Sequence, residues 1–516
     1  MQRANYDAST NVSEAIRERH RGVAADVVAE AQYGHRIGGE WVDSDGGTTH
    51  ESVDATTGET LAQFQGGTAA DVDRAVEAAT EAFEGEWGQR SPRQRAEALH
   101  EIADRIEARK TDIARLDSLE VGKANQHSLF VDLQIVERQF RHFAALAETH
   151  DGGRVVPTGD EKQTVTHEEP YGVVGQISAW NFPAMFVAWK TAPALAAGNT
   201  VVYKPSSRAV LSTLELFRTM DQVLPPGTVN VVTGSGSEVG AAISGHADVA
   251  KVALTGSTGA GIATMRNAAE RVAPVSLELG GKSPNVVFPD ADIEQAVQGT
   301  VLSIFFNQGE QCTAGSRLFL HEDVYDEFLD ALIEETKNLT VGDPLAPDTD
   351  VGPLVDHAHR ATVLSYVERA VAQGATVAYG GEPPADTALD GAPFVQPTIL
   401  TEVDNDDTVA CEEVFGPVLS VIEWSEYDEM MAQANDTEFG LAAGVWTTDL
   451  ETAHRASGDL EAGRVWVNTY NDLFDPAPYG GYKQSGIGRE LAEEAIADYT
   501  QTKTVTLNFG GLPKMG

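Results

Sequence analysis

Residues 172–204 read GVVGQISAWNFPAMFVAWKTAPALAAGNTVVYK, which is an apolar strand-like run, a long apolar helical segment and a second apolar strand-like run. A strand, a helix and a strand in this order form a βαβ unit, in which the two strands lie parallel in one sheet. Strands that are apolar along their whole length are typical of a sheet covered by helices on both faces. The stretch therefore predicts an α/β fold.

The same alternation continues along the chain. We predict strands at 172–178, 199–204, 228–233, 251–255 and 275–278, and helices between them at 186–197, 206–222, 237–245 and 258–270. A second α/β series between 284 and 468 has predicted helices at 290–307, 322–336 and 357–373 and strands at 418–423 and 464–468. Because 516 residues exceed what one hydrophobic core usually supports, we expect at least two domains.

The flanking segments are less regular. Residues 1–34 are charged and rich in Ala, which favours a loose extension or a short helix outside the core. Turn signals between residues 33 and 67 predict a small β-meander. Residues 68–149 have helical spacing and begin with a possible capping box from Thr68 to Asp71. The alternating residues 500–507 predict an edge strand, which needs a partner and hints at pairing within an oligomer.

The chain is strongly acidic. It has 79 Asp and Glu residues against 36 Lys and Arg residues, for a net charge of -43, and the acidity is spread along the sequence. Such a surface repels nucleic acids and anionic membranes, so neither is expected as a partner. We interpret the acidity as adaptation to a high-salt cytoplasm, where screening weakens self-repulsion; a mildly acidic mesophilic enzyme is the alternative.

The N-terminal residues have no apolar core of a signal peptide, and no apolar run is long enough to cross a membrane. We therefore expect a soluble cytoplasmic protein. Cys312 and Cys411 are the two cysteines of the sequence, so no disulfide framework is available.

Two Gly-rich turns follow predicted strands. GSGSEVG at 234–240 misses the usual dinucleotide fingerprint by one residue and is a weak signal alone. TGSTGAG at 255–261 directly follows an apolar strand, and a Gly-Ser-Thr turn before a helix presents N–H groups and hydroxyls to an anion. A turn that merely requires small residues is the alternative. No Gly-Lys-Ser/Thr follows either turn, which excludes a nucleoside triphosphatase loop.

Glu278 ends an apolar strand and precedes a flexible Gly pair in LELGG, residues 277–281. A partly desolvated carboxylate has a raised pKa, which suits it to take a proton from water. A solvated glutamate at a strand end is the alternative.

Cys312 lies among small polar residues in QGEQCTAGS, residues 308–316, after an apolar helix. Structural cysteines usually have apolar neighbours, so this one is a candidate nucleophile, with a structural role as the alternative. A thiolate adds to an aldehyde, and the adduct becomes a thioester when it loses hydride. Cys411 precedes two acidic residues and is interpreted as structural.

Asn181 follows the first strand of the regular sheet, where its amide could bind a developing oxyanion. An asparagine that stabilises the turn before a proline is the alternative. A nucleophilic cysteine, a basic glutamate, an oxyanion-binding asparagine and a dinucleotide site together fit oxidation of a carbonyl by hydride transfer.

Several segments, in order, resemble the non-phosphorylating branch of the aldehyde dehydrogenase superfamily, over about Arg36 to Leu507. They are WNFP at 180–183, GNTVVYKP at 198–205, LTGST at 254–258, LELGGKSP at 277–284, GEQC at 309–312, EEVFGP at 412–417 and GGYKQSGIGRE at 480–490.

The resemblance implies roles for individual residues. The catalytic set is a nucleophile, a general base, an oxyanion-binding amide that works with the backbone N–H of the nucleophile, and an acidic residue of a proton relay: Cys312, Glu278, Asn181 and Glu490. The set near the cofactor comprises ribose-binding residues, the pyrophosphate turn and residues beside the nicotinamide: Lys204, Ser207, Gly256, Ser257, Glu413, Phe415 and Trp180. The implied cofactor is NAD or NADP, and the resemblance implies no metal.

The family fold implies a Rossmann-like cofactor domain, an α/β catalytic domain and a small β segment used for oligomerisation. On this basis we place an N-terminal extension at 1–35, the cofactor domain at 36–149 and 171–280, the catalytic domain at 281–485, and the oligomerisation segment at 150–170 and 495–510. A homodimer or homotetramer is implied.

One position departs from the family pattern. Many NAD-preferring members have a glutamate that repels a 2′-phosphate three residues after the lysine of KPS, and here that position is Ser207. Arg208, its neighbour, could pair with such a phosphate. The sequence therefore suggests dual or NADP-leaning use.

Phe182, Trp189 and Tyr479 match positions that line the aldehyde tunnel of the family. Aromatic walls suit apolar aldehydes or, through cation–π attraction, quaternary ammonium aldehydes such as betaine aldehyde. Plain hydrophobic packing and semialdehyde substrates also remain open. Two other functions are weighed: a CoA-acylating or phosphorylating relative, which generally lacks the glutamate at 278, and a catalytically silent binding or structural protein on this fold.

Overall fold

The computed structural model describes residues 12–150 and 152–511. The α-helices are α1 (Glu14–Val27), α2 (Ala69–Glu84), α3 (Pro92–Val121), α4 (Asn125–His127), α5 (Leu133–Thr149), α6 (Pro183–Ala197), α7 (Leu211–Met220), α8 (Ala241–Gly245), α9 (Thr258–Ala269), α10 (Ile293–Phe305), α11 (Tyr325–Lys337), α12 (His357–Gln373), α13 (Thr408–Cys411), α14 (Tyr427–Asn435), α15 (Leu450–Asp459) and α16 (Ala492–Asp498). The strands are β1 (Gln32–Tyr33), β2 (His35–Ile37), β3 (Glu40–Val42), β4 (Thr49–Val53), β5 (Thr60–Gln65), β6 (Val155–Val156), β7 (Lys162–Pro170), β8 (Val173–Ile177), β9 (Thr200–Lys204), β10 (Val229–Val231), β11 (Lys251–Thr255), β12 (Val275–Glu278), β13 (Pro284–Val287), β14 (Arg317–His321), β15 (Thr376–Tyr379), β16 (Thr398–Thr401), β17 (Val418–Trp424), β18 (Ala442–Trp446), β19 (Arg464–Val467), β20 (Gly486–Ile487) and β21 (Thr500–Asn508).

The first large sheet has eight strands in the order β20-β12-β11-β8-β9-β10-β2-β3. Its five central strands pair in parallel, as predicted, and are buried along nearly their whole length. The outer strands β20, β2 and β3 pair antiparallel, so the sheet is parallel only in its centre. The α/β fold class is confirmed.

The helix that follows β8 shows why this unit folds as predicted. Pro183 occupies the first turn of α6, where a missing N–H costs nothing, and Gly198 ends it with a φ of 99°. All fifteen residues of α6 are buried, including Lys190. This helix forms a wall behind the candidate site.

The second large sheet has seven strands in the order β15-β16-β17-β14-β13-β18-β19, of which only β15 pairs antiparallel. The 278–284 segment links β12 of the first large sheet to β13 of the second large sheet. The chain thus passes from one sheet to the other directly after Glu278.

Several helix boundaries differ from the prediction by a few residues, and for two of them the structure shows the cause. Helix α7 was expected to start at residue 206 but starts at Leu211, because the buried Glu120 carboxylate of α3 accepts the backbone N–H groups of Val210, Leu211 and Ser212 at 2.9, 2.8 and 3.3 Å. Helix α10 was expected to reach Asn307 but ends at Phe305, because Asn307 adopts a left-handed φ of 50°.

Of the three N-terminal predictions, two need correction and one is confirmed. Residues 14–27 form a helix that contacts α3, and because Val27 belongs to the main core this helix does not lie outside it; residues 1–11 fall outside the described residues. The expected meander is divided, since β2 and β3 extend the large sheet whereas β1 pairs parallel with β5. The predicted capping box is confirmed, with Asp71 accepting the Thr68 N–H at 2.8 Å.

The tail strand β21 pairs antiparallel with β7 over its whole length, in a sheet of order β21-β7-β6. Its partner therefore lies in its own chain, which corrects the inference that it needs an oligomer for pairing, and its other edge has no strand partner in the described part of the chain. Among residues 12–150 and 152–511, no helix is long and apolar enough to cross a bilayer.

Candidate active site

Two cavities meet at Cys312. The first has a volume of about 230 Å³ and is lined by Val131, Asp132, Ile135, Phe182, Met185, Phe186, Trp189, Thr255, Glu278, Leu302, Phe306, Gln311, Cys312, Thr313, Asn471, Leu473, Tyr479 and Glu490. The second has a volume of about 240 Å³ and is lined by Ala179, Trp180, Asn181, Phe186, Arg208, Thr255, Gly256, Ser257, Leu279, Gly280, Cys312, His359, Glu413 and Phe415. We call the first the tunnel and the second the cleft; a reacting group at Cys312 has access to both.

The loop that carries Cys312 is held by buried polar contacts. Asn307 and Gln308 have left-handed φ angles of 50° and 46°, which turn the chain sharply after α10. The buried Glu310 carboxylate then accepts the Val355 N–H at 3.0 Å and the Gln308 amide at 2.9 Å. Strained backbone of this kind persists only where the surroundings fix it, and it is frequent at functional sites.

The Cys312 thiol is partly exposed and shares a hydrogen bond with the Tyr479 hydroxyl at 3.3 Å. Burial of the sulfur raises its pKa to about 12, which exceeds the opposing effect of the Tyr479 hydrogen bond. The group is therefore a neutral thiol in this state and must lose a proton before it can attack.

Glu278 ends β12 and is only 5% exposed, and its Oε2 has no hydrogen-bond partner among the described residues. Burial raises the pKa of this carboxyl well above its usual value, and the nearby Glu490 carboxylate raises it further. The expected desolvated carboxylate is thus present, on the wall of the same tunnel as Cys312.

Glu490 lies beside Glu278 and is joined to Tyr479 by two backbone hydrogen bonds of 2.7 Å. Its Oε1 forms an ion pair with the fully buried Lys190 of α6. Sequence reasoning missed Lys190, although a lone lysine in an otherwise apolar buried helix must have a partner, and that signal could have found it.

Gly280 and Gly281 were expected to supply flexibility, but the structure gives them a different role. A Cβ at Gly280 would lie 2.3 Å from the Glu413 carboxylate, and one at Gly281 would lie 2.4 Å from the Cys312 carbonyl oxygen. These glycines are needed for space, because they let the loop of the nucleophile and Glu413 approach the end of β12.

Asn181 is 2% exposed and lines the cleft beside Cys312. Its side-chain amide donates to the backbone carbonyl of Glu310 at 3.0 Å. Its backbone carbonyl accepts from the side-chain amide of Asn307 at 3.1 Å. Since a primary amide has two N–H donors, one is fixed to the nucleophile loop and the other is left for a ligand.

The inner part of the cleft can bind an anion. Ser257, which lines the cleft, caps α9 by accepting the Ala260 N–H at 3.3 Å, so the N-terminus of this twelve-residue helix, with its unpaired first N–H groups, begins at the wall of the cleft. The Thr255 hydroxyl beside them is buried and has no partner among the described residues. A pyrophosphate fits this set of donors.

Glu413 and Phe415 also line the cleft. Glu413 accepts the Gly281 N–H at 3.1 Å, and burial raises the pKa of its carboxyl to about 7. Phe415 has a left-handed φ of 58°, and its ring packs edge-on against Trp180 at 5.5 Å. Sequence reasoning missed His359, whose Nε2 contacts the Phe415 carbonyl oxygen at 2.6 Å.

Lys204 and Ser207 lie beside the 234–240 turn, away from Cys312. The Ser207 hydroxyl donates to the Gly234 carbonyl at 2.8 Å, and the Lys204 amine donates to the Pro205 carbonyl at 2.8 Å. Arg208 lines the cleft but is paired with Asp356 at 3.0 Å.

The aromatic residues predicted for the tunnel all line it. The Trp189 and Tyr479 rings meet at 4.9 Å, and Phe182 stacks on Phe306, which sequence reasoning missed, at 6.4 Å.

Cys411 lies elsewhere, exposed at the end of α13. Within 12–150 and 152–511, no His, Cys, Asp and Glu group is placed to hold a metal ion.

With this geometry established, the sequence was compared with known proteins. Residues 41–505 match the aldehyde dehydrogenase family. The chain belongs to this family.

Two relatives illustrate the similarity of this dehydrogenase to known proteins. It is 42% identical over 476 residues to DhaS of Bacillus subtilis, named as an aldehyde dehydrogenase, a match that covers 92% of this chain and 95% of the relative. It is also 42% identical over 483 residues to a betaine aldehyde dehydrogenase of Brucella anthropi, with 93% and 98% covered.

Solved structures show the same fold as this dehydrogenase. An NAD+ complex of an aldehyde dehydrogenase from Bacillus cereus is 40% identical with a TM-score of 0.91, covering 94% of this chain and 98% of that one. Betaine aldehyde dehydrogenase from Staphylococcus aureus, in complex with NAD+, is 38% identical with a TM-score of 0.93, covering 96% and 98%.

Proposed function

We propose that this dehydrogenase oxidises an aldehyde to its carboxylic acid with NAD(P)+, through a covalent adduct on Cys312. The observation that supports this most strongly is the place of Cys312, since its thiol lies where the tunnel and the cleft meet and Glu278 lines the tunnel. One cavity can admit the aldehyde and the other the dinucleotide.

The cleft fits a nicotinamide dinucleotide. The N-terminus of α9 with Thr255 and Ser257 would hold the pyrophosphate, Glu413 a ribose, and Phe415 and Trp180 the nicotinamide end. Lys204 and Ser207, beside the 234–240 turn, would hold the adenosine ribose. A nicotinamide dinucleotide bound there would supply a hydride acceptor, which the change from thiohemiacetal to thioester on Cys312 requires.

The chain's own residues supply the remaining chemistry. The Cys312 thiol gives its proton to a hydroxide ion from solvent, and the sulfur forms a bond to the aldehyde carbon. The oxygen becomes an oxyanion, which the free N–H of the Asn181 amide and the Cys312 backbone N–H stabilise.

Hydrolysis of the thioester needs a base. Glu278 takes a proton from water, the hydroxide adds to the thioester carbon, and the carbon–sulfur bond breaks to release the acid. Its raised pKa makes it a stronger base than an exposed glutamate, and Glu490, to which the family resemblance gives a part in a proton relay, lies next to it.

Two variants test this assignment. Cys312→Ala should abolish aldehyde oxidation but keep dinucleotide binding, because Cys312 is only one residue of the cleft wall. Glu278→Gln should release close to one equivalent of NAD(P)H in a burst and then stall, because only hydrolysis requires the carboxylate. Stopped-flow absorbance measures the burst, and steady turnover in either variant would refute the assignment.

The preference between NAD and NADP, the oligomeric state and the cellular location are also proposals. Ser207 leaves the adenosine ribose without a repelling carboxylate, so we expect dual or NADP-leaning use. The β21-β7-β6 sheet has a free edge and exposes Val155, Leu507 and Phe509, which suits assembly into a homodimer or homotetramer. The net charge of -43 suits a soluble protein of a high-salt cytoplasm, without nucleic-acid or membrane partners.

A further inference from the structure

Two consecutive side chains in the turn between β9 and α7 contact different parts of the molecule. The Ser207 hydroxyl donates to the Gly234 carbonyl at 2.8 Å, at the proposed adenosine site. The next side chain, Arg208, instead forms an ion pair with Asp356 at 3.0 Å and lines the cleft. The side chains can diverge because the chain is not yet helical here, since α7 starts only at Leu211. Arg208 is therefore held at the start of α12 and not at the 234–240 turn.

Two contacts fix the Arg208 guanidinium at the wall of the cleft. Its Nε meets the Asp356 carboxylate at 3.0 Å, and its central carbon lies 5.5 Å from the centre of the Trp180 ring. Asp356 is itself fixed, because it caps α12 by accepting the His359 N–H at 2.8 Å. A guanidinium has several N–H donors, so a contact through Nε leaves donors for a ligand. The Arg208 side chain is 36% exposed, so a ligand in the cleft can reach it.

Arg208 lies between the two ends of the proposed dinucleotide site. Its chain neighbour Ser207 is at the adenosine end, whereas its own guanidinium lies over Trp180, at the nicotinamide end. Gly256 and Ser257, which we assign to the pyrophosphate, line the same cleft as Arg208. The pyrophosphate joins the two halves of a dinucleotide, so in this site it would lie beside Arg208.

Arg208 has the one permanent positive charge among the described residues that line the cleft. His359 is the other basic side chain there, and burial lowers the pKa of its imidazole below the usual value, so it is neutral at neutral pH. The pyrophosphate is an anion, and a chain with a net charge of -43 repels it at long range. A cation in direct contact with the pyrophosphate offsets this repulsion.

We propose that Arg208, held in place by Asp356, binds the pyrophosphate of the dinucleotide and does not recognise the 2′-phosphate of NADP. This inference rests on the proposed function and adds a binding residue to the cofactor site. It differs from the sequence-based expectation that Arg208 pairs with a 2′-phosphate. Because NAD and NADP have the same pyrophosphate, Arg208 strengthens the binding of both equally, while the choice between them depends on Ser207.

The test measures dissociation constants from the fluorescence of NADH and NADPH, and from displacement of NADH by ADP-ribose, which has the pyrophosphate but no nicotinamide. Arg208→Gln should raise the constants of all these ligands by the same factor, at least about tenfold, because it removes hydrogen bonds between opposite charges. A tenfold change corresponds to about 1.4 kcal/mol. Arg93→Gln removes the same charge from an exposed site on α3 and is the control, with no expected change.

Asp356→Asn separates a contact with the ligand from a structural effect of the ion pair. Asparagine can still cap α12, but the ion pair with Arg208 is lost. This variant should bind NADH within about threefold of the wild type, because the guanidinium keeps its donors. A loss as large as that of Arg208→Gln would show that the ion pair only holds α12 in place, and would refute the proposal.

The pattern across ligands is equally decisive. A loss in Arg208→Gln that is confined to NADPH would mean that Arg208 reads the 2′-phosphate, and a loss that is absent with ADP-ribose would mean that it contacts the nicotinamide half. Either result, or unchanged binding of every ligand, would overturn the assignment. A wild-type protein that binds neither NADH nor NADPH would instead contradict the proposed function.

Discussion

Ser207 shows how much one side chain can decide at the residue scale. Its hydroxyl donates to the Gly234 carbonyl beside the proposed adenosine site, and it brings no charge there. A carboxylate at this position would repel a 2′-phosphate, whereas a neutral side chain would not.

We predict that Ser207→Glu lowers kcat/KM for NADP at least about tenfold, since close like charges cost several kcal/mol, and leaves kcat/KM for NAD little changed. Steady-state kinetics with both dinucleotides measures the effect. Ser207→Gln is the matched control, because it has the same shape without the charge. Equal losses in both variants, or a strong NAD preference of the wild type, would contradict the role given to the charge.

The site residues that could be predicted from sequence are those whose function is indicated by their immediate neighbours in the chain. Glu278 and Cys312 could be recognised from their immediate neighbours, and the structure places both on the tunnel. Lys190 and His359 were missed, because their partners Glu490 and Phe415 lie far away in the sequence and only the fold brings them together.

At the scale of elements, the first helix is fastened by a buried histidine. The Nδ1 of His20 contacts Asp54 at 2.6 Å and its Nε2 contacts Asp343 at 2.9 Å. Burial lowers the His20 pKa, but hydrogen bonds and attraction from the two carboxylates outweigh this and raise it to about 9. The imidazolium thus joins α1 to two separate segments of the chain.

The folded pKa of about 9 lies above the ordinary value of 6.5, so protonation of His20 stabilises the fold. This stabilisation is complete below pH 6.5 and is lost as the pH rises through 9. We predict that His20→Gln lowers the free energy of unfolding by about 3–5 kcal/mol near neutral pH, because it leaves the buried Asp54 carboxylate without its cation, while Asp343 keeps its ion pair with Arg19.

The deficit of His20→Gln should shrink above the folded pKa of His20, where the wild type loses the same charge. Thermal unfolding followed by fluorescence across a pH series measures it, and His100→Gln, at an exposed site on α3, is the control. A deficit that stays constant with pH would show that packing, and not charge, fastens α1.

Helices were predictable where their ends are marked by their own residues. Gly198 ends α6 in this way and this end was predicted correctly, whereas the start was expected at residue 186 and lies at Pro183. The start of α7 was misplaced, because the carboxylate that caps it, Glu120, belongs to another helix ninety residues earlier. Local sequence cannot reveal a cap that arrives through tertiary packing.

At the scale of the whole molecule, charge dominates the surface. An excess of 43 negative charges repels itself at low ionic strength, and salt shortens the range of this repulsion from about 30 Å at 0.01 M to about 3 Å at 1 M. The stability of the folded state should therefore depend on salt.

We predict that dialysis from molar KCl into dilute buffer abolishes activity and lowers the unfolding temperature by well over ten degrees. Circular dichroism and activity measured side by side test this, and an osmolyte such as sucrose in dilute buffer is the control, because it favours burial without screening charge. Full stability in dilute buffer would show that the acidity has no such role.

Phe186, Thr255 and Cys312 are the lining residues that the tunnel and the cleft have in common, and this narrow junction bears on inhibitor design. A compound that fills the tunnel up to the Cys312 sulfur need not displace the dinucleotide. Its potency would therefore not fall as the cellular concentration of NAD(P)+ rises. A dinucleotide mimic, in contrast, would compete with that pool directly.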